Sequence, residues 1–362
     1  MARAPFTLLL IHHSHTDIGY TDLQGRILRR HVHFLRRAMD ICGRRPEFRW
    51  QCETFWPVER ALTGFSREER GTFARLVAAG RIGLSANPLN FSELADEDLL
   101  QTLLDRHAGT AASLGTVLRS AMTADINGLG RGWARAMLDH GVEHVFTCVH
   151  THHGTHPLHR TQTPFRWEMP DGRRLLVWNG EHYHLGNEMG LAPDACASYL
   201  TKDECDADTI HRGWWQVAET RIRRYCAALK ERGYLYRFAP LMISGLRTDN
   251  GPPSEAILDA VERWNAAHGG EVTVAMTTLD AFFDRLHAER AAIPVHAGDW
   301  PDWWSDGPTG DAPAVRLFRC AVRDLARLTL GHWEYRDRGL DRGLTVRDAS
   351  GDTLPCQFDP VP

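Results

Sequence analysis

Residues 6–17 of the chain read FTLLLIHHSHTD. The short apolar run with no helical periodicity predicts a buried β-strand at Phe6–His12. Directly after it come His13, His15 and Asp17. Because ligands of α/β proteins bind beyond the carboxyl ends of the strands, these polar residues are the first candidates for a functional site.

Short apolar runs alternate with helical patterns along most of the chain. This alternation predicts an α/β fold in which helices cover parallel strands. The other strand candidates are Arg49–Cys52, Ile82–Ser85, Ser120–Ala124, His144–Cys148, Leu175–Trp178, Pro240–Ile243 and Val272–Ala275. The helix candidates are Ile27–Ile41, Arg67–Ala79, Asp98–Ala112, Gly132–His140, Gly213–Arg232, Ser254–Ala267 and Thr278–Arg290.

The composition changes after about residue 290, which divides the chain into three predicted parts. Residues 1–290 form the α/β domain. Residues 291–342 hold a stretch rich in Trp, Gly and Pro, followed by an amphipathic helix at Ala314–Leu330. Residues 343–362 form a short β-like tail that resembles a hairpin fragment.

The charge and the cysteine pattern argue against several classes of protein. A net charge of −4 over 362 residues lacks the basic excess of a nucleic-acid or membrane surface. The eight Cys include no C-x-x-C pair and indicate free thiols. The apolar run near the start is too short to span a membrane and has no signal-peptide cleavage site. We expect a cytoplasmic protein without nucleic-acid or membrane partners, and the sequence leaves open whether it forms a homo-oligomer.

The residues after the first and fourth strands are candidate metal ligands. In an extended backbone, residues two apart point to the same side, so His15 and Asp17 can converge on one cation. An imidazole with a carboxylate suits zinc. Asp125 stands at the end of the fourth strand and can supply a third ligand. The alternatives are a His-rich loop held by ordinary hydrogen bonds, and an aspartate that only caps the next helix.

Two segments resemble motifs of the family 38 α-mannosidases. Residues 13–20 resemble the motif H-S-H-N-D-x-G-W, with Thr16 in place of Asn and Tyr20 in place of Trp. The segment that begins at Asp125 resembles the motif D-x-F-G-H-S, of which Asp125 and Gly128 are retained. The resemblance extends over about residues 5–330.

The resemblance implies a fold, a cofactor and a reaction. The fold is a parallel-stranded (β/α) barrel-like catalytic domain of about seven or eight strands, followed by a short helical segment. The cofactor is one Zn²⁺ ion bound by His15, Asp17 and Asp125. The reaction is retaining hydrolysis of an α-mannoside or related glycoside, with Asp125 as nucleophile and Asp249 as acid/base.

The family's fourth zinc ligand, a His in an H-D-A-like motif, has no counterpart in this chain. The candidates for its replacement are His332, His182, His184 or no residue at all. Contacts with a carbohydrate substrate are expected from Tyr20, Glu53, Trp303, Trp304 and Asp306. For the tryptophans, a packed cluster at a domain junction is the alternative interpretation.

Two other functions fit the same residues. One is a different metal-dependent carbohydrate hydrolase, such as a deacetylase, in which water is the nucleophile. The other is a degenerate relative that binds sugars without catalysis, having lost the last ligand.

Overall fold

The computed structural model describes most of the chain. The described residues are 5–18, 21–90, 95, 97–126, 129–148, 158, 160–193, 195, 205–246, 249–289, 291–300, 312–330, 346–347 and 353–354, with the backbone alone at 205–213, 322–330 and the last two pairs. The chain divides into two compact units, Met1–Trp304 and Ser305–Pro362. The boundaries at residues 290 and 342 stay predictions.

Strands and helices alternate along most of the chain. The strands are β1 Phe6–His12, β2 Trp50–Gln51, β3 Ile82–Gly83, β4 Ser120–Ala124, β5 His144–Cys148, β6 Thr163–Glu168, β7 Arg174–Gly180, β8 Phe238–Ile243, β9 Val272–Thr277, β10 Val295–Ala297, β11 Val346–Arg347 and β12 Thr353–Leu354. The helices are α1 Gln24–Arg44, α2 Trp56–Gly64, α3 Arg67–Ala78, α4 Glu97–Ser113, α5 Arg131–Asp139, α6 Leu185–Glu188, α7 Cys205–Glu231, α8 Ala256–His268, α9 Leu279–His287 and α10 Ala312–Leu330.

The strands of the first unit form two larger sheets and a short pair. One sheet has the order β8-β1-β9 and is parallel throughout. The other has the order β10-β6-β7-β5-β4, and β2 pairs with β3 in parallel. The prediction of an α/β domain is therefore confirmed, and the closure of its strands into a barrel stays a prediction. In the second unit, β11 and β12 form an antiparallel pair. The predicted β-like tail at residues 343–362 stays a prediction.

The prediction of parallel strands throughout is wrong at β6, a strand that sequence analysis missed. β6 runs antiparallel to β7. A tight turn joins the two strands, in which the amide of Gly172 donates to the carbonyl of Met169, 2.9 Å away. Gly172 has a φ of 83°, a conformation that glycine adopts without steric cost. The signal was Pro170-Asp171-Gly172, a typical turn sequence.

Strand β1 lies at the centre of its sheet and is buried on both faces. Leu8 and Leu10 belong to one hydrophobic cluster, whereas Leu9 and Ile11 belong to another. Successive side chains of a strand point to opposite faces, so one strand supplies both cores. A continuous apolar run is typical of a strand covered on both sides.

The candidate residues lie in loops that follow the carboxyl ends of strands. The loop after β1 carries His15 and Asp17, and the residues that follow β2, β4 and β8 include Glu53, Asp125 and Asp249. Among the described helices, none is both long and apolar enough to cross a membrane.

We expect Phe282→Ala to destabilise the protein by about 3–5 kcal/mol, because it opens a cavity in a packed aromatic cluster. The Phe282 ring lies 5.1 Å from Trp178 and 5.9 Å from Phe238, edge to face, and is fully buried. Urea unfolding measures the loss. The control is Leu235→Ala at a side chain that is 74% exposed, where we expect about 0.5 kcal/mol or less. A similar midpoint for both variants would contradict this core.

Candidate active site

The three histidines at and after the end of β1 have different surroundings, and the first of them, the last residue of the strand, stabilises the fold. His12 donates from Nδ1 to the carbonyl of Ile243 at 3.0 Å and accepts at Nε2 from the amide of Ser254 at 3.0 Å. Burial lowers the pKa of His12 to about 3, so the ring is neutral. Both ring nitrogens are used in joining β1 to the β8 side of its sheet. His12 is thus a satisfied core histidine.

His15 lies at the centre of the candidate site. Its ring is buried, and Nδ1 lies 3.0 Å from Oε1 of Glu53. On the other side, Nε2 faces Oδ1 of Asp17 at 3.4 Å and Oδ2 of Asp125 at 4.0 Å. The structure therefore brings together the three side chains that the sequence pattern suggested as metal ligands.

Glu53 is a buried hydrogen-bond centre beneath this group. Its Oε1 accepts from His15 Nδ1, from the amide of Thr16 at 3.0 Å and from the Nδ2 of Asn90. Its Oε2 lies 2.6 Å from Nδ1 of His13. Burial alone would raise the pKa of Glu53, but the neighbouring imidazoles of His15 and His13 lower it well below its usual value. The predicted role of Glu53 in substrate contact stays a prediction, while its contacts favour a role in holding the loop after β1.

The ionised Glu53 carboxylate fixes which nitrogen of His15 faces the site. An ionised carboxylate only accepts hydrogen bonds, so His15 Nδ1 carries the proton that is donated to Glu53. Burial alone would lower the pKa of His15, but the facing Glu53 and Asp17 carboxylates raise it well above its usual value. Nε2 is therefore the atom that either carries a second proton between Asp17 and Asp125 or binds a cation there.

Asp125 is held in an unusual backbone conformation. Its φ is 61°, in the left-handed region that few residues other than glycine adopt. The preceding amide, that of Ala124, donates to Oδ1 of Asn90 at 3.3 Å, which links the end of β4 to Glu53. Burial raises the pKa of Asp125 to about 6; His15 opposes this shift, and nearby carboxylates including Asp17 add to it. Backbone strain of this kind is concentrated at functional sites.

Asp249 joins the same group from the loop after β8. The side chains of Asp17, Tyr183 and His15 are all near enough to influence the pKa of its carboxyl group. Burial raises the pKa of Asp249, and its like-charged neighbour Asp17 acts in the same direction against the opposing effect of His15. The ring of Tyr183 stacks on that of His15, with centroids 4.1 Å apart. One imidazole thus faces a group of carboxylates that carry like charge.

Sequence analysis missed three residues that shape this group: Asn90, Tyr183 and Asn250. Tyr183 follows β7 within the stretch Glu181-His-Tyr-His184, in which the sequence suggested only the two histidines as candidate ligands. His182 stacks on the Tyr183 ring at 4.2 Å, and its Nδ1 accepts from the amide of His184. A role for either histidine as the fourth metal ligand stays a prediction.

Other predicted residues lie outside the described part of the chain. These are Tyr20, Trp303, Trp304, Asp306 and His332. The beginning of the Trp-rich segment is described: Trp300 is buried and packs edge-on against Phe165 and Trp167. At this position the packing interpretation holds.

The spacing between His15 and Asp125 is wider than that between two ligands of a formed metal centre. Zinc bonds of about 2.0–2.2 Å to nitrogen and oxygen bring neighbouring ligands closer than the 4.0 Å between His15 and Asp125. Within the described residues, no group of three or more His, Cys, Asp or Glu side chains is arranged to hold a metal ion.

Comparison with known proteins identifies the family. The model of the glycosyl hydrolases family 38 N-terminal domain matches residues 5–306. The chain belongs to glycosyl hydrolase family 38. The family resemblance expected from the motifs at His15 and Asp125 is thereby confirmed. A search of curated proteins finds no match.

Two solved structures of Enterococcus faecalis proteins share the family 38 fold. One, an alpha-mannosidase from strain V583, aligns with a TM-score of 0.63 and 14% sequence identity over 82% of this chain and 31% of its own. The other, a protein in glycosyl hydrolase family 38, aligns with a TM-score of 0.56 and 12% identity over 82% of this chain and 29% of its own. This chain therefore spans about a third of the length of these relatives. At such low identity the likeness shows the fold alone.

We expect Glu53→Gln to cost about 3 kcal/mol of unfolding free energy, measured in urea, because an amide cannot accept from all of its present donors. The control is Glu59→Gln, which removes an ion pair with Arg106 whose arginine side chain is 54% exposed, and should cost about 1 kcal/mol or less. Wild-type stability of Glu53→Gln with a loss of saccharide binding would instead support the predicted substrate contact.

Proposed function

We propose that this family 38 chain is a zinc-dependent, retaining glycoside hydrolase that acts on an α-mannoside or a related glycoside. One observation carries the proposal: Nε2 of His15 faces the carboxylates of Asp17 and Asp125, and the loop that carries Asp249 is hydrogen-bonded through Asn250 to the backbone carbonyls of His15 and Asp17. These residues come from three different strand ends, which is where α/β enzymes assemble their sites.

The donor set and its charge fit a zinc ion. His15, Asp17 and Asp125 would hold it, since one imidazole and two carboxylates are ordinary zinc ligands. The raised pKa values of Asp125 and Asp249 reflect burial together with carboxylates that face one another. A bound cation would relieve this repulsion and favour the ionised form of Asp125. When bound, zinc would orient neighbouring sugar hydroxyls and polarise them as a Lewis acid.

The contact beneath His15 supports the same proposal. Metal-binding histidines commonly donate their second ring N–H to a carboxylate, which fixes the orientation of the ring. His15 makes this contact through Nδ1 to Glu53 at 3.0 Å. The nitrogen that faces Asp17 and Asp125 is then the one suited to coordination.

Asp125 and Asp249 supply the two carboxyl groups of a retaining mechanism. Asp125 attacks the anomeric carbon and forms a glycosyl ester, while Asp249 donates its proton to the leaving oxygen. Asp249 then takes a proton from water, which cleaves the ester and returns Asp125 to its carboxylate form. A raised pKa suits Asp249 to carry the proton at the start. Asp249 is close enough to influence the pKa of Asp125. The proposed retaining mechanism requires the two carboxyl groups to lie about 5–5.5 Å apart when substrate is bound.

The substrate class rests on the family and its relatives. One structural relative is an alpha-mannosidase from Enterococcus faecalis, so an aryl α-mannoside is the first substrate to assay. The carbohydrate partner, the cytoplasmic location and the lack of a nucleic-acid partner remain predictions.

Replacement of Asp17 by Ala should abolish stoichiometric zinc binding while the fold is retained, because Asp17 lies at the rim of a large core. Its side chain is 19% exposed, in contrast to the buried His15 ring. Zinc content after dialysis and the urea midpoint are measured on the same samples. The control is Asp22→Ala, because Asp22 lies in the same loop, has a side chain of similar exposure (17%) and is paired with Arg30. If wild type and Asp17→Ala both lack zinc, the non-catalytic alternative is favoured over the enzyme.

Asp125→Asn should reduce hydrolysis of an activated aryl α-mannoside to background, because an amide does not form the glycosyl ester. Asp249→Asn should retain most activity on that substrate but lose about 10²–10⁴-fold on an alkyl glycoside, whose leaving oxygen needs a proton. Initial rates on both substrates are compared at equal zinc content. Near-normal turnover by zinc-loaded Asp125→Asn would exclude Asp125 as nucleophile and with it this mechanism.

A further inference from the structure

The loop after β8 folds back closely on itself. A Cβ atom on Gly245 would collide with the carbonyl oxygen of Pro252, and one on Gly251 would meet Oγ of Ser244. These two close approaches lie on either side of Asp249 in the chain. The position of Asp249 between them depends on the contacts of its own segment with the rest of the protein.

Asn250, the residue after Asp249, makes several such contacts with the β1 loop. Its backbone amide donates to the carbonyl of His15 at 2.8 Å. Its side-chain Nδ2 donates to the carbonyl of Asp17 at 3.2 Å and to Oγ1 of Thr21 at 2.8 Å. Asn250 therefore binds the backbone at both candidate ligands of the β1 loop.

The same side chain is held from helix α1. Nε2 of His31 lies 2.7 Å from Oδ1 of Asn250, and both residues are buried. Burial lowers the pKa of His31, so a neutral ring donates one N–H to the amide oxygen. One asparagine thus joins three parts of the chain: the β8 loop, the β1 loop and α1.

The backbone of Asn250 is in the left-handed region, with a φ of 54°. Asparagine tolerates this conformation better than most residues, although at some cost. The conformation lets the backbone amide and the side-chain amide reach the β1 loop together. Replacement by glycine would keep the conformation and remove only the side-chain contacts, whereas alanine would add strain.

We propose that Asn250 is a positioning residue, which fixes the carboxyl group of Asp249 relative to His15 and Asp17. The consequence for catalysis rests on the proposed function, because it requires that Asp249 be the acid/base. A displacement of about 1 Å at a reacting group costs on the order of 10²-fold in rate. Loss of the contacts should therefore weaken proton donation more than it weakens the fold.

The first test is independent of activity and of metal. In Asn250→Gly, amide hydrogen exchange in residues 13–18 and 249–251 should accelerate about tenfold, the effect of losing roughly one net hydrogen bond. The control is Asn265→Ala, which removes two side-chain bonds to the backbone of Val274 in β9 and none to the loops of the site. It should accelerate exchange in β9 and leave residues 13–18 unchanged. Wild-type exchange of both loops in Asn250→Gly would overturn the proposal.

The second test uses leaving groups. Rates of Asn250→Gly and Asn250→Ala are measured on the activated aryl mannoside and on the alkyl mannoside. Both variants should lose at least about tenfold more on the alkyl substrate, which needs the proton from Asp249. Asn265→Ala should lose equally on both. Equal losses for Asn250→Gly would assign Asn250 a purely structural role and overturn the proposal. If the wild type hydrolyses neither substrate, the proposed function fails, and the exchange test alone decides whether Asn250 fixes the loop.

Discussion

The structure of the site depends on one buried carboxylate. Glu53 has almost no solvent contact, and its oxygens accept from His13, His15, Thr16 and Asn90. A buried charge is costly unless it is paired and fully hydrogen-bonded. If the loop after β1 moved away, the buried Glu53 carboxylate would lose its hydrogen-bond donors and be left unpaired. The orientation of His15, and with it the position that a cation would occupy, follows from this constraint.

The side chains around His15 come from separate parts of the sequence. His15 follows β1, Glu53 follows β2, and Asn90 follows β3. Asp125, Tyr183 and Asp249 follow β4, β7 and β8 in turn. No local segment forms the site alone, so the geometry of the site depends on how the elements of the first unit pack together.

The sequence predicted those features that local chemistry decides. A continuous apolar run indicated β1, and the position of polar residues at strand ends indicated His15, Asp17 and Asp125. It did not reveal the role of Glu53, because a single glutamate in a sequence carries no sign of burial or of its partners. Asn90 and Asn250 were missed for a related reason: their side-chain hydrogen bonds span 34 to 37 and 219 to 233 residues, far beyond any local pattern. The antiparallel strand β6, by contrast, was readable from the Pro170–Gly172 turn.

The two-sided burial of β1 has a consequence for how this gene can vary. Leu8 and Leu10 pack into one cluster and Leu9 and Ile11 into another, and the same strand ends three residues before His15. Exchanges among aliphatic residues keep each side chain on its own face and are tolerated well. A single-codon insertion or deletion within the strand would move every following side chain to the opposite face. It would disturb both cores at once and turn His15 away from Asp125. A single mutation of this kind would therefore destabilise the protein and disrupt the site together.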